Sequence, residues 1–132
     1  MRLVLALAMT VLPVAAAAQQ GLAGSEWRPL TIAGQPFPEG VEAIVQFGAD
    51  GRLTGRGGCN RFTGAYSVDG ETLTVGPVAA TRMACPEPAM SAEAALFAAF
   101  EAVATFSRDG ADLNFLDADG VPVAAFAQTD WD

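Results

Sequence analysis

The feature that most constrains the fold is an Asp-Gly pair that occurs four times, each time between two short apolar runs. Asp-Gly tolerates the positive φ that tight β-hairpin turns require. Residues alternate in character after the second pair, so Leu73 and Val75 should face one side of a strand and Thr72 and Thr74 the other. With further strands near 27–32 and 78–83, about eight or nine short antiparallel strands are expected. The four pairs predict hairpins at Asp50-Gly51, Asp69-Gly70, Asp109-Gly110 and Asp119-Gly120.

One segment, SAEAALFAAFEAVATF from Ser91, has helical periodicity instead. Ser91 is a good N-cap, and Glu93 in the first turn suits the helix dipole. We expect a helix at about 91–105 packed on the sheet. The fold is then α+β, a curved antiparallel sheet or open β-barrel closed by this helix. The apolar stripe of the helix comprises Leu96, Phe97, Phe100, Val103 and Ala104.

The first 18 residues have the character of a secretory leader. A positive start at Met1-Arg2 precedes an almost wholly apolar run, which ends in small residues at 16–18. The run is shorter than the roughly 20 residues of a membrane span and contains Pro13. We expect a signal peptide at 1–18 and a single domain at 19–132, periplasmic or secreted, with no stable membrane insertion after cleavage. An uncleaved anchor is the alternative, and no cysteine stands at the leader's end for lipid attachment.

Charge and missing residue types exclude several classes of function. The chain has a net charge of −8 and contains neither histidine nor lysine. Nucleic acids and anionic membranes favour basic surfaces, so neither is an expected partner. Ser-His-Asp and Cys-His catalysis, a lysine Schiff base, His-ligated metals and a P-loop all need an absent residue type. We expect a non-enzymatic monomer without a cofactor or metal.

Only two cysteines are present, Cys59 and Cys85. An even count in an exported chain predicts a disulfide. This bond would stabilise the fold by roughly 3–4 kcal/mol in the chain-entropy model. A redox pair is the alternative, although such pairs are usually close in sequence, as in Cys-x-x-Cys.

Glycines cluster around the first cysteine, at positions 55, 57, 58 and 64. Glycine in a strand usually marks a bend or a close backbone approach, and we interpret the cluster as barrel curvature. A phosphate-binding loop is the alternative, but no helix follows the cluster directly. Asp117, Asp119 and Gly120 suggest a calcium loop only weakly, because the EF-hand spacing is absent, and we interpret them as a polar turn.

Arginines are concentrated in one segment. Residues 51–86 carry four arginines against two acids, whereas the rest of the expected mature chain carries two against thirteen. A Cys59–Cys85 bond would draw Arg61 and Arg82 towards each other, with Asn60 and Thr81 beside them. These four are the candidate interaction residues, for an anionic partner, although Asn60 is expected to bond local backbone. Alternatively, the arginines pair with carboxylates on neighbouring strands.

Two separated blocks resemble the META domain family, whose best-known bacterial member is the heat-shock protein HslJ. The resemblance covers roughly residues 24–126. It implies a small antiparallel β fold with a helix, exported or lipid-anchored, linked to envelope stress and antibiotic tolerance, without established catalytic residues. The first block, Gly-Cys-Asn-x-Phe-x-Gly-x-Tyr, is carried by Gly58, Cys59, Asn60, Phe62, Gly64 and Tyr66, and the second, Thr-x-Met-Ala-Cys, by Thr81, Met83, Ala84 and Cys85.

The expected function follows from these features together. We expect a non-catalytic envelope protein that acts in stress or antibiotic tolerance by binding an unidentified envelope protein or a small anionic or apolar ligand. One alternative is a periplasmic thiol-disulfide protein that uses Cys59 and Cys85. Another is a carrier that holds a small ligand in the barrel mouth.

Overall fold

A computed structural model describes residues 21–129, so the predicted leader and its cleavage site lie outside the described residues. No helix in this part of the chain is long and apolar enough to cross a membrane. Its elements, in chain order, are β1 (Ser25–Ile32), β2 (Gln35–Pro36), β3 (Ile44–Phe47), β4 (Arg52–Arg56), β5 (Arg61–Asp69), β6 (Thr72–Val75), β7 (Ala79–Ala80), α1 (Ala89–Ala102), β8 (Thr105–Asp109), β9 (Asp112–Leu116) and β10 (Pro122–Gln128).

All four predicted hairpins are present. The Asp-Gly pairs connect β3 to β4, β5 to β6, β8 to β9 and β9 to β10, and each connected pair is antiparallel. The glycine of each pair has a φ between 60° and 82°, in the region that only glycine adopts without strain. The predicted strand at 78–83 is shorter than expected, because β7 pairs with β5 over two residues only.

Eight of the strands form a closed antiparallel barrel, which confirms the α+β prediction. Their order is β1, β3, β4, β5, β6, β8, β9, β10, and β10 pairs back onto β1 with Trp27 opposite Gln128. Strands β2 and β7 are short additions to β1 and β5. The narrowest seam joins β6 to β8 through the single residue pair Thr72 and Thr105.

Inward-facing side chains fill the barrel. On β6 the predicted alternation holds, since Leu73 is buried, Val75 is half-buried and the two threonines are exposed. A barrel of eight strands has an interior just wide enough for side chains, which matches this packing. The largest side chains with less than 2% exposure are Trp27, Phe47, Phe115, Phe126, Leu22, Leu53, Leu73, Leu96, Leu113 and Val45.

Helix α1 packs against β1 and β10 and contributes Leu96 and Phe100 to the core. It begins earlier than predicted, and its N-cap is Pro88 rather than Ser91. The helix start has no side-chain capping bond, and the Ser91 N–H donates to the Glu87 carboxylate at 3.2 Å, so Ser91 lies inside the helix as a donor. The helix ends at Ala102, because Val103 already has extended backbone angles. Ser91 as the N-cap and the helix end near residue 105 were therefore wrong.

The N-terminal end of β1 is hydrogen-bonded to the first residues of the described chain. Leu22 is buried, and its carbonyl accepts hydrogen bonds from the N–H and hydroxyl of Ser25. The Arg108 guanidinium lies 4.9 Å from the centre of the Trp27 ring and donates to the Gly21 carbonyl. Burial lowers the pKa of Arg108. This arginine therefore has a structural role.

Candidate functional site

The predicted disulfide is confirmed. Cys59 and Cys85 are bonded, with 5.9 Å between their Cα atoms. The bond joins the residue two positions before β5 to the stretch that leads into α1. Cys59 is only 2% exposed, so solvent reaches its sulfur poorly.

Asn60, the residue after Cys59, is also buried, at 4% exposure. Its side-chain oxygen accepts hydrogen bonds from the Thr81 hydroxyl at 2.9 Å and the Met83 N–H at 2.7 Å. Its amide nitrogen donates to the Met83 carbonyl at 3.3 Å and to the Glu93 carboxylate at 2.8 Å. An asparagine side chain can accept two hydrogen bonds and donate two. Asn60 therefore has no hydrogen-bonding capacity left for a ligand.

Glu93 completes this buried cluster from the helix. Oε1 accepts the N–H groups of Asn60, at 2.6 Å, and Cys59, at 3.3 Å, while Oε2 accepts the Asn60 amide. A Cβ atom on Gly57 would lie 2.7 Å from Glu93 Cγ, so the glycine makes room for the carboxylate. The prediction that Glu93 lies in the first turn and serves the helix dipole was wrong, because the helix starts at Ala89 and the carboxylate is 5% exposed.

We call Cys59, Asn60 and Glu93, together with the half-buried Cys85 that is bonded to Cys59, the buried clamp. Sequence reasoning missed the role of Glu93 because its partners lie 33 and 34 residues away. One signal was available: Glu93 lies three residues before Leu96, on the apolar face of the predicted helix. A carboxylate at such a position needs buried donors.

Unlike the buried clamp, the outer face of the barrel next to it carries exposed positive charge. Arg56 on β4 and Arg61 on β5 lie directly opposite each other, and both are exposed. Arg52 shares their face and donates to Thr63 at 3.4 Å. Like charges directly opposite each other on a sheet are destabilising. The barrel thus keeps a like-charge pair at two exposed, directly opposite positions.

A pocket of about 500 Å³ opens beside this arginine pair. Both arginines line it, together with Ile44 and residues of β1 and β3. A hydrogen-bonded row forms one wall: Thr54 donates to Gln46 at 3.1 Å, and Gln46 donates to Glu26 at 2.8 Å. Thr129 donates to the second oxygen of Glu26 at 2.6 Å. The wall is therefore held in place before any ligand arrives.

Of the four residues proposed from sequence, Asn60 belongs to the buried clamp and Arg61 lines the pocket, whereas Thr81 and Arg82 do not line it. Asn60 and Thr81 are in contact, as expected, but Asn60 belongs to the buried clamp. Thr81 also donates its N–H to the Arg61 carbonyl at 3.1 Å, which fixes β5 against the segment after β7. Arg61 and Arg82 are both exposed, and the arginine opposite Arg61 is Arg56.

The turn at residues 117–120 is built by its own aspartate. Asp117 Oδ1 accepts the N–H groups of Asp119 and Val121, each at 2.9 Å, which is the polar turn expected from sequence. Within residues 21–129, no three acidic, cysteine or histidine side chains are grouped so as to hold a metal ion.

The fold and this surface define a small disulfide-bonded antiparallel barrel with one closing helix. The sequence profile of the META domain family matches residues 20–130, and the chain belongs to that family. No curated protein matches the chain in sequence.

Solved structures show the same fold. The NMR structure of a protein from Burkholderia xenovorans has a TM-score of 0.72 and 21% identity, and the match covers 94% of this chain and 96% of that one. The crystal structure of a DUF4847 family protein from Bacteroides vulgatus has a TM-score of 0.62 and 17% identity, with coverage of 84% and 96%. At these identities the likeness concerns the fold alone.

Proposed function

We propose that this protein is an exported, non-catalytic binding protein that acts in envelope-stress or antibiotic tolerance. It binds its partner through an anionic group held at Arg56 and Arg61. The observation that carries this proposal is the direct opposition of these two exposed arginines beside an open pocket. Their mutual repulsion has no evident structural benefit, and two guanidinium groups suit a carboxylate or phosphate.

Packing supports a site outside the barrel. The interior is filled by aromatic and aliphatic side chains, which argues against a carrier with its ligand inside. Cys85 is partly exposed, but Cys59 is buried and the two cysteines are 26 positions apart rather than in a Cys-x-x-Cys pair, which argues against a thiol-disulfide enzyme. Both observations favour a binding role at the outer surface.

A complementation experiment tests this proposal. A strain that lacks the gene receives the parent, Arg56→Gln/Arg61→Gln, or the single change Arg28→Gln, and survival under envelope stress is measured. Arg28 is exposed on β1 and does not line the pocket, so it controls for the loss of a surface arginine. We expect the parent and Arg28→Gln to restore survival and the double variant to fail although it melts like the parent. Equal rescue by all three would remove the arginine pair from the function.

Export has its own test. Because of the charged start, the apolar run and the small residues at 16–18, we expect cleavage after Ala18. Intact-mass measurement of protein from the envelope fraction should give a chain that starts at Gln19 or within about two residues of it. A mature protein that retains residues 1–18 contradicts the cleavage and favours an anchor.

A further inference from the structure

The pocket beside Arg56 and Arg61 is lined by charged side chains of both signs. Strand order across the outer face is β5, β4, β3, β1. The two arginines lie on β5 and β4, whereas Glu26 lies on β1, and Glu42 lies just before β3. The four side chains carry no net charge together. The pocket is therefore suited to a dipolar ligand rather than to a polyanion, which the two glutamates would repel.

Glu26 is held in a fixed position. Gln46 donates to one of its oxygens and Thr129 to the other, at 2.8 and 2.6 Å. A carboxylate oxygen can accept more than one hydrogen bond, so each oxygen retains capacity for a ligand donor. Glu42 is exposed at the rim and adds a second negative charge without a fixed position in the wall.

The spacing between the charged ends sets the size of the ligand. Two strand spacings separate β4 from β1, about 10 Å. An extended peptide advances about 3.3 Å per residue, so two or three residues span this distance. Half-buried Ile44 lies opposite Arg56 between the two ends and gives the pocket an apolar floor. The volume of about 500 Å³ is within the usual range for small-ligand sites.

We infer that the pocket binds a short peptide of about two to three residues with both termini free. Its carboxylate lies at Arg56 and Arg61, and its ammonium group lies at Glu26. This inference rests on the proposed function and deepens it, because it names the anionic group as a peptide C-terminus and adds a second recognised charge.

Titration with defined peptides tests the inference. The probes are trialanine, N-acetyl-trialanine and trialanine amide, added to ¹⁵N-labelled protein while the backbone amide signals of Ile44, Thr54 and Arg56 are followed by NMR. We expect trialanine to shift these signals, and either blocking group to weaken binding by at least about tenfold, the effect of losing one charged contact of 1.4 kcal/mol.

Two variants separate the ends of the site. Arg56→Gln/Arg61→Gln should bind trialanine and its amide equally, because the group that distinguishes them is gone. Glu26→Gln should reduce the penalty for N-acetylation and leave the preference for trialanine over its amide unchanged. The thermal melt of each variant shows that it is folded.

The results also distinguish this inference from the proposed function. If N-acetyl-trialanine binds as tightly as trialanine and binding still needs the two arginines, the free amino group is irrelevant and the inference fails, while an anionic-group site remains. If no probe shifts the pocket signals up to tens of millimolar, the peptide inference is wrong, and the complementation result decides the proposed function alone. If the double arginine variant binds trialanine like the parent, both proposals lose their site.

Discussion

Asn60 and Arg61 are neighbours in the chain, yet they belong to regions with opposite properties. Asn60 is buried and makes four side-chain hydrogen bonds, while Arg61 is exposed and faces another arginine. Successive side chains of an extended segment point to opposite faces, which allows this separation within two residues. Cys59 and Asn60, which carry part of the family resemblance, are thus engaged inside the protein, and the half-buried Cys85 is engaged in the disulfide. The surface that is free to bind a partner lies one residue further along.

Removal of the disulfide should have the largest effect on the buried clamp. We expect Cys59→Ala/Cys85→Ala to lower the free energy of unfolding by about 2–5 kcal/mol, because the unfolded chain gains freedom when the covalent loop is lost. Urea denaturation of the parent and the variant measures this change. Ready reduction by glutathione with little loss of stability would contradict a structural bond and revive the thiol-disulfide alternative.

Replacement of Glu93 should have the next largest effect. Glu93→Ala leaves the N–H groups of Cys59 and Asn60 and the Asn60 amide without their buried acceptor, and we expect a loss of about 2–4 kcal/mol. Glu101→Ala is the matched control, because Glu101 is exposed on the same helix and should change stability by less than about 0.5 kcal/mol. Equal effects at the two positions would show that the carboxylate contributes nothing specific to the clamp.

The smallest effect is expected at the arginine pair, and it has the opposite sign. Arg56→Gln removes a like-charge cross-strand pair, so stability should rise by about 0.2–1 kcal/mol at low salt. The gain should shrink as salt screens the repulsion. Arg28→Gln on β1 is the control and should leave stability unchanged. Destabilisation by Arg56→Gln in denaturant titrations would mean that the arginine supports the barrel, and the contrast between the two regions would be lost.

Local turn chemistry made much of the fold predictable. Each Asp-Gly pair sets a hairpin by itself, and the alternation after Gly70 assigned Leu73 to the core correctly. The helix start was missed because the N-cap is Pro88 and makes no side-chain capping bond, so no Ser, Thr, Asp or Asn marks the position.

The site was harder to predict because it depends on strand register. Arg61 is opposite Arg56 because a four-residue turn at 57–60 joins β4 to β5. The glycine-rich sequence of that turn did not show which residues would be opposite each other. The predicted disulfide instead suggested Arg82 as the neighbour of Arg61. Glu26 enters the pocket through pairing between β1 and β3, which no local pattern reveals.

The pairing of β1 with β10 has a consequence for when this protein can fold. Trp27 and Gln128 are opposite each other although almost the whole described chain separates them. A chain that emerges N-terminus first, from the ribosome or from an export channel, cannot complete this pairing until β10 has emerged. Until then β1 lacks its partner strand, and the aromatic core that depends on it stays incomplete. Barrel closure is therefore a late event in the emergence of the chain.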